Sequence, residues 1–434
     1  MNFSRLLLLL IPLLLILSTC QSPPGQSFIT QDVTNFWRAY DQINTTSDTL
    51  LQAQYLQEHF LEPASPGLLA LMEARRYTPA EYLDAIRRYP KFWNSLRANT
   101  EDIARHYPDI EQSIAQLRAH YPDLRPVPIY FLMGVFRTNG TILDQQILIG
   151  SEMALSSKAV DTQKLPEHPR TFNDLHNPIE DLALLCTHEY VHTQQHDFVD
   201  HLLAYCVYEG IAEFVATLAT GKASYLSAIA FGEAHYERVR DQFERDLYLT
   251  YRTYQWLWST NTIFGERDLG YAVGYGMAQR YYEAAADKQA AIKTMIELDY
   301  ADEAALLAFV DATGYLSRPI QELYDSYEAA RPRVVRTEGV ENGSRQVAPG
   351  TRDLTFFFSE PLNGYHTGVD YGEGGAATFP SLSPDRRWSE DGQSWTIRAE
   401  LEPQRHYQIL ISNNFRLENG IQLQPFLLEF WTRD

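Results

Sequence analysis

The stretch HLLAYCVYEGIAEFVATLATG, residues 201–221, is nearly all apolar, yet it carries two carboxylates, Glu209 and Glu213. Its spacing reads as a helix that ends at Gly221. Positions four apart share one helical face, so the two acids lie on the same side. A lone buried carboxylate is costly unless it is paired, hydrogen-bonded or bound to a metal. Any fold adopted by this segment must therefore bring partners to Glu209 and Glu213, or leave their face in water.

Suitable partners stand shortly before it. LALLCTHEYVHTQQH, residues 182–196, holds His188, Glu189 and His192 in the order H-E-x-x-H. Asn177, Pro178 and Glu180 make a helix start, and Ile179, Leu182, Leu185 and Cys186 form an apolar side. The expected helix runs from Asn177 to about Gln195. His188 and His192 then point the same way and can share one metal ion, for which neutral imidazole is a good ligand. Glu189 is rotated by about 100° from His188 and falls beside such an ion, placed to take a proton from a water. The bland alternative is a helix that carries His and Glu on a solvated face.

A catalytic zinc site needs a third protein ligand. His196 lies two turns beyond His188, roughly 12 Å along the axis, too far unless the helix breaks. Glu209, 17 residues after His192, is the better candidate, with Glu213 placed to hold a ligand imidazole. The reverse assignment, Glu213 as ligand, stays open, as does a salt-bridged or solvent-facing role for both. The spacing after His192 puts Gln195 and Phe198 where a metzincin needs Gly and His, so that pattern fails. His196 and His201 read as peripheral. Tyr271 and Tyr275, in GYAVGYG, are candidates to stabilise an oxyanion, with His235 a weaker one. Core packing is the more natural role for either tyrosine, although the flanking glycines permit close approach.

H-E-x-x-H followed by Glu209-Gly210-Ile211-Ala212 on a second helix resembles the gluzincin branch of zinc metallopeptidases. More narrowly, THEYVH, EGIAEF and GYAVGYGMAQRYYE are similar to a family of predicted zinc-dependent proteases and to related exported bacterial lipoproteins, over roughly residues 125–320. The resemblance implies Zn²⁺ as cofactor, His188, His192 and Glu209 as ligands and Glu189 as general base. Glu213 stands where thermolysin-like enzymes carry an outer acid. The G-x-M-E-N motif of many aminopeptidases is absent; only Gly150, Glu152 and Met153 appear near the expected strand, which favours an endopeptidase.

The chain begins MNFSRLLLLLIPLLLILSTC, with one positive charge before an apolar run too short, and interrupted by Pro12, for a membrane span. Leu17-Ser18-Thr19-Cys20 resembles a bacterial lipobox, in which Cys20 would carry lipid and anchor the protein without spanning the membrane. QSPPGQS then reads as a tether. Gln21 is not an inner-membrane retention signal of the Asp type, so the expected location is the cell envelope, at the outer membrane. With 36 Lys+Arg against 56 Asp+Glu, the net charge of −20 argues against nucleic acid as a partner. The other cysteines, Cys186 and Cys206, lie in apolar helical stretches and are expected to be buried thiols rather than a disulfide.

The expected fold class is α+β. A signal peptide (1–20) and a helical region (21–125) precede a mostly helical, zincin-like metallopeptidase domain with a small β-sheet (126–331). An all-β, Ig-like sandwich follows (332–434). In the N-terminal region Pro63, Pro66, Pro79, Pro90 and Pro108 punctuate amphipathic stretches. VPIYFLMGVF and QQILIGSEMAL read as strands joined by a hairpin at Asn139-Gly140. After AARPRVVRTEGVENG the runs turn short and β-rich: DLTFFFSEPL, SWTIRAEL, HYQILISNNF and LLEFWTRD. These resemble bacterial Ig-like domains, which implies a spacer or adhesion module. The leading functional expectation is a membrane-anchored zinc peptidase with a peptide or protein substrate. The alternative is a non-catalytic envelope lipoprotein that uses the same fold for binding or assembly. A zinc hydrolase for another amide or ester is a third reading.

Overall fold

The computed structural model describes residues 27–197, 199–259 and 261–434. The expected leader, Cys20 and nearly all of the tether lie outside the described residues, as does Phe198. The fold is mixed α+β. It divides into two compact units: the described residues up to Glu111 with Arg125–Leu182, and Gln112–Leu124 with Ala183–Asp434.

In the first unit, prolines begin helices rather than break them. Pro66, Pro79 and Pro90 occupy the first position of Pro66–Arg75, Pro79–Arg88 and Pro90–Glu101. The missing N–H costs nothing there. Ser65 and Thr78 cap the first two, and Thr78 with Glu81 closes a full capping box, a feature contributing about 1 kcal/mol. Phe36, Phe60 and Trp93 meet in a buried ring cluster, with Phe36–Trp93 centroids 4.9 Å apart.

The sheet of this unit contains β1 (Phe28–Ile29), β2 (Ile129–Leu132), β3 (Gly140–Leu143) and β4 (Gln146–Gly150), in the order β1-β2-β4-β3. Two sequence expectations fail here. Phe28–Ile29 is a strand, not the start of helix. And β2 and β4 do not form a hairpin at Asn139-Gly140: they run parallel. Thr141-Ile142-Leu143 is extended and pairs antiparallel with β4, so the tight turn falls at Asp144, whose φ is 51°. Asn139 instead receives the Gly140 N–H on its side chain and the Gly150 N–H on its carbonyl. A short β-former run within the supposed loop thus moved the turn by one strand.

In the second unit the helix Leu202–Thr220 packs along the helix Leu269–Ala284. Leu202–Thr220 is long and apolar enough to cross a membrane by length and composition, but 78% of its apolar window is buried inside the chain. A helix apolar on all sides is what a protein core requires. Cys186 and Cys206 are buried free thiols.

The C-terminal part of this unit forms two antiparallel sheets. One contains β5 (Val334–Glu338), β6 (Gly350–Phe358), β8 (Ser381–Trp388) and β9 (Ser394–Leu401), in the order β5-β6-β9-β8. The other contains β7 (Val369–Asp370), β10 (His406–Ile411) and β11 (Phe426–Trp431), in the order β11-β10-β7. Alternate residues of β6 and β9, such as Phe356 and Ile397, share one core with Ile409 and Phe430 of the other sheet. Truncating a fully buried ring such as Phe356 to Ala costs about 3–5 kcal/mol in such a core.

Candidate metal centre

The H-E-x-x-H segment begins differently from expectation. Pro178–Asp181 forms a single 3₁₀ turn, and the α-helix runs over Leu182–His192. Asn177 gives its side-chain oxygen to the Lys158 N–H instead of capping the helix. The helix closes at His192 rather than Gln195. That early end frees the Gln195 side chain to fold back.

His188, Glu189 and His192 are all buried, and Glu209 is 14% exposed in its side chain. His188 Nε2 and His192 Nε2 stand 2.9 Å apart. Glu209 Oε2 lies 3.1 Å from His192 Nε2 and 3.4 Å from His188 Nε2. Each residue therefore offers one ligand atom to a common point, and the group can hold a metal ion. Four ligands about 2.0–2.1 Å from a tetrahedral centre are roughly 3.3 Å from one another. The triangle is of that size, and two imidazoles with a carboxylate form a donor set that zinc accepts.

The surroundings set the proton positions. His188 Nδ1 lies 2.9 Å from Glu213 Oε2, and His192 Nδ1 lies 2.7 Å from Gln195 Oε1. Gln195 is held that way round because its NH₂ donates to the Tyr208 carbonyl (3.0 Å) and the Tyr300 hydroxyl (3.3 Å). With an acceptor facing each Nδ1, the neutral rings carry their protons there and turn bare Nε2 lone pairs inward. Two lone pairs and a carboxylate oxygen then converge with no donor among them. Only a cation removes that repulsion. Burial pulls the His188 pKa down, but Glu209 and Glu213 outweigh it and hold it well above the imidazole range. Burial likewise raises Glu209, and the two imidazoles outweigh it and hold its carboxyl below the usual range.

Glycines bring the third wall into contact. A Cβ on Gly274 would sit 1.7 Å from the Cys206 carbonyl oxygen, and one on Gly210 would sit 2.1 Å from the Gly274 carbonyl carbon. The backbones of Leu202–Thr220 and Leu269–Ala284 touch there, which no larger residue permits. The contact sets Tyr271 beside the triad: its ring stacks on His188 at 6.2 Å, and its hydroxyl interacts with Glu209 and Trp258. Burial, then the Glu209 charge, pushes its pKa well above the phenol range, so it remains an O–H donor. Tyr275, a turn further on, meets the Thr217 hydroxyl at 3.2 Å and packs on Phe214. The structure thus groups His188, His192, Glu209, Glu213 and Tyr271, with the Glu189 charge felt by His188 and Tyr208.

The other histidines stand apart in role. His196 is exposed, His201 accepts the Ala204 N–H as a helix cap, and His235 ends Ser227–Ala234 against Phe231. Glu152 does not present a free carboxylate: both oxygens take backbone N–H groups, from Gly134 and Phe136. Sequence reading missed Gln195 and Tyr208 as supports of His192, the latter stacked on it at 4.3 Å. It also missed Asp268, which begins Leu269–Ala284 at a φ of 63°. Burial pushes Asp268 up to about 6, with Arg267 opposing and Glu209 adding to the shift. The i,i+3 spacing of His192 and Gln195 was the only available signal for any of these.

No family model and no curated protein sequence matches this chain. Among solved structures, a crystal structure of the S-layer protein rSbsC is similar over 93% of this chain at 11% identity, with a TM-score of 0.18. The chain spans 45% of that protein's length. A superposition at that score carries no argument about fold or activity.

Proposed function

We propose that this chain is a zinc metallopeptidase of gluzincin type, held to the bacterial cell envelope by lipid on Cys20. In this reading the helices around the triad form a zincin-like catalytic region, and the two C-terminal sheets form an Ig-like module. The observation that carries the proposal is the convergence of two imidazole nitrogens and a carboxylate only 14% exposed, each imidazole oriented by its own outer acceptor. His188, His192 and Glu209 would hold the ion. When bound, zinc supplies Lewis acidity, which makes a water acidic and polarises a carbonyl. Glu189, buried one residue after His188, accepts the proton of the attacking water and delivers it to the leaving amine. Tyr271, held neutral, donates to the oxyanion. Glu213 and Gln195 keep both imidazoles in the tautomer that binds.

The test is metal analysis of the full-length chain after zinc reconstitution, paired with hydrolysis of a broad peptide library by wild type and Glu189→Gln. The expected result is about one zinc per chain in both proteins and hydrolysis only in the wild type. Failure to bind zinc would overturn the proposal. Full zinc without hydrolysis by wild type would favour the non-catalytic binding role.

A further inference from the structure

A cleft of about 720 Å³ opens between the end of the helix Pro66–Arg75, the helix Pro79–Arg88 and the loop that carries Phe136 and Arg137. Its charges do not cancel. Arg137 pairs with Glu81, and Asp84 pairs with Arg88 at 2.8 Å. Arg75 and Arg76 have no carboxylate partner among the described residues, in a chain of net charge −20. The Arg75 Nε is buried and has no acceptor among the described residues.

The cleft is also pinned. Glu152, fully buried, accepts the Gly134 N–H at 2.8 Å and the Phe136 N–H at 3.0 Å. Tyr77 accepts the Arg137 N–H at 3.0 Å, and its ring lies under the Arg137 guanidinium at 4.9 Å. That guanidinium also donates to the Arg75 and Arg76 carbonyls. Phe136 in the lining loop is left-handed without being a glycine, at φ 62°, whereas Arg76, at φ 52°, is the left-handed cap that ends Pro66–Arg75. Such backbone persists only where the surroundings hold it, and it gathers at ligand sites. A helix C-terminus by itself attracts basic side chains. That preference does not account for a left-handed loop fastened by a buried carboxylate.

We infer that this cleft binds a small molecule that joins an oxyanion, phosphate or carboxylate, to an apolar body. The forked donors of Arg75 and Arg76 match either oxyanion. Tyr89 and Phe136 supply an apolar wall, and the volume is that of a small-ligand site. The site is independent of the metal proposal.

The experiment is calorimetric titration of the full-length chain with phenyl phosphate, phenylacetate and, as the neutral comparison, phenol. At least one anionic probe is expected to bind saturably, one per chain, with a Kd below about 1 mM, and phenol is not. Which anion binds tighter identifies the oxyanion. Arg75→Gln combined with Arg76→Asn is expected to weaken binding at least tenfold, while His188→Ala leaves it unchanged. Should the double variant melt early, Arg75→Lys with Arg76→Lys keeps the charge, loses the fork and is still expected to bind several-fold weaker. No saturable binding of either anion, undiminished binding in the Arg variants, or loss in His188→Ala would each overturn the inference.

Discussion

Glu213 and Glu152 are both carboxylates with almost no exposure, 2% and 0%, and they hold different things. Glu213 puts one oxygen on a histidine ring; its other oxygen has no partner among the described residues. Glu152 gives each oxygen to a backbone N–H. The first therefore fixes a tautomer beside reactive groups. The second fixes the path of a loop. Burial pushes Glu152 up to about 7 although both oxygens accept hydrogen bonds. Backbone dipoles alone offset only part of the cost of burying the charge. At Glu213 a histidine ring stands opposite, and the same residue type orients that ring instead.

Four experiments break or sharpen this contrast. The largest effect is expected from His188→Ala, which removes the ring that Glu213 orients. Bound zinc should fall from about one equivalent to none, and hydrolysis should vanish with it. Circular dichroism that stays native would show that the loss is local. Glu189→Gln is expected to keep the metal and lower kcat/KM by roughly 10²–10⁴. Retained activity in this variant would sink the role assigned to Glu189.

Glu213→Gln comes next. Zinc affinity, measured by competition with a chelator, should fall about 10–100-fold, the usual cost of losing a group that orients a ligand. Glu152→Gln should leave that affinity unchanged, and a matching loss there would erase the distinction between the two acids. The smallest effect is a pH dependence. The folded-state pKa of Glu152, about 7, lies above its ordinary 4.5. The folded protein thus binds more protons between those values, and stability contributed by this group is complete below about 4.5 and falls as pH rises through about 7. The loss should be on the order of 1–3 kcal/mol. Urea unfolding at pH 5 and pH 8 should show a flatter dependence in Glu152→Gln than in wild type; parallel curves would refute the assignment.

Much of the candidate metal centre could be read from residue spacing. His188 and His192 are four apart in a helical pattern, and periodicity alone places them on one face. Glu209 was legible because a carboxylate in an apolar run demands a partner. Gln195 was not. Its role depends on the helix closing at His192 and on the Tyr208 carbonyl meeting its amide. Tyr271 and Tyr275 were equivalent in sequence, four apart in one glycine-rich motif. The Gly210–Gly274 backbone contact sets the rotation of their helix, and with it which tyrosine meets Glu209. The parallel pairing of β2 with β4 was hidden for a similar reason. Asn-Gly is a local turn preference, whereas strand order depends on which distant segment claims each edge.

The amino-acid sequence by itself determined the ligand types, their spacing and the burial of the helix that carries the acids, because these follow from side-chain chemistry and helical period. Tertiary structure alone decided which nitrogen of each imidazole faces the triad, which tyrosine stands there, and that Phe136 is fastened in a left-handed turn beside two arginines with no carboxylate partner among the described residues. Each of those depends on a contact with a residue distant in the chain, and local propensity carries no information about such a partner.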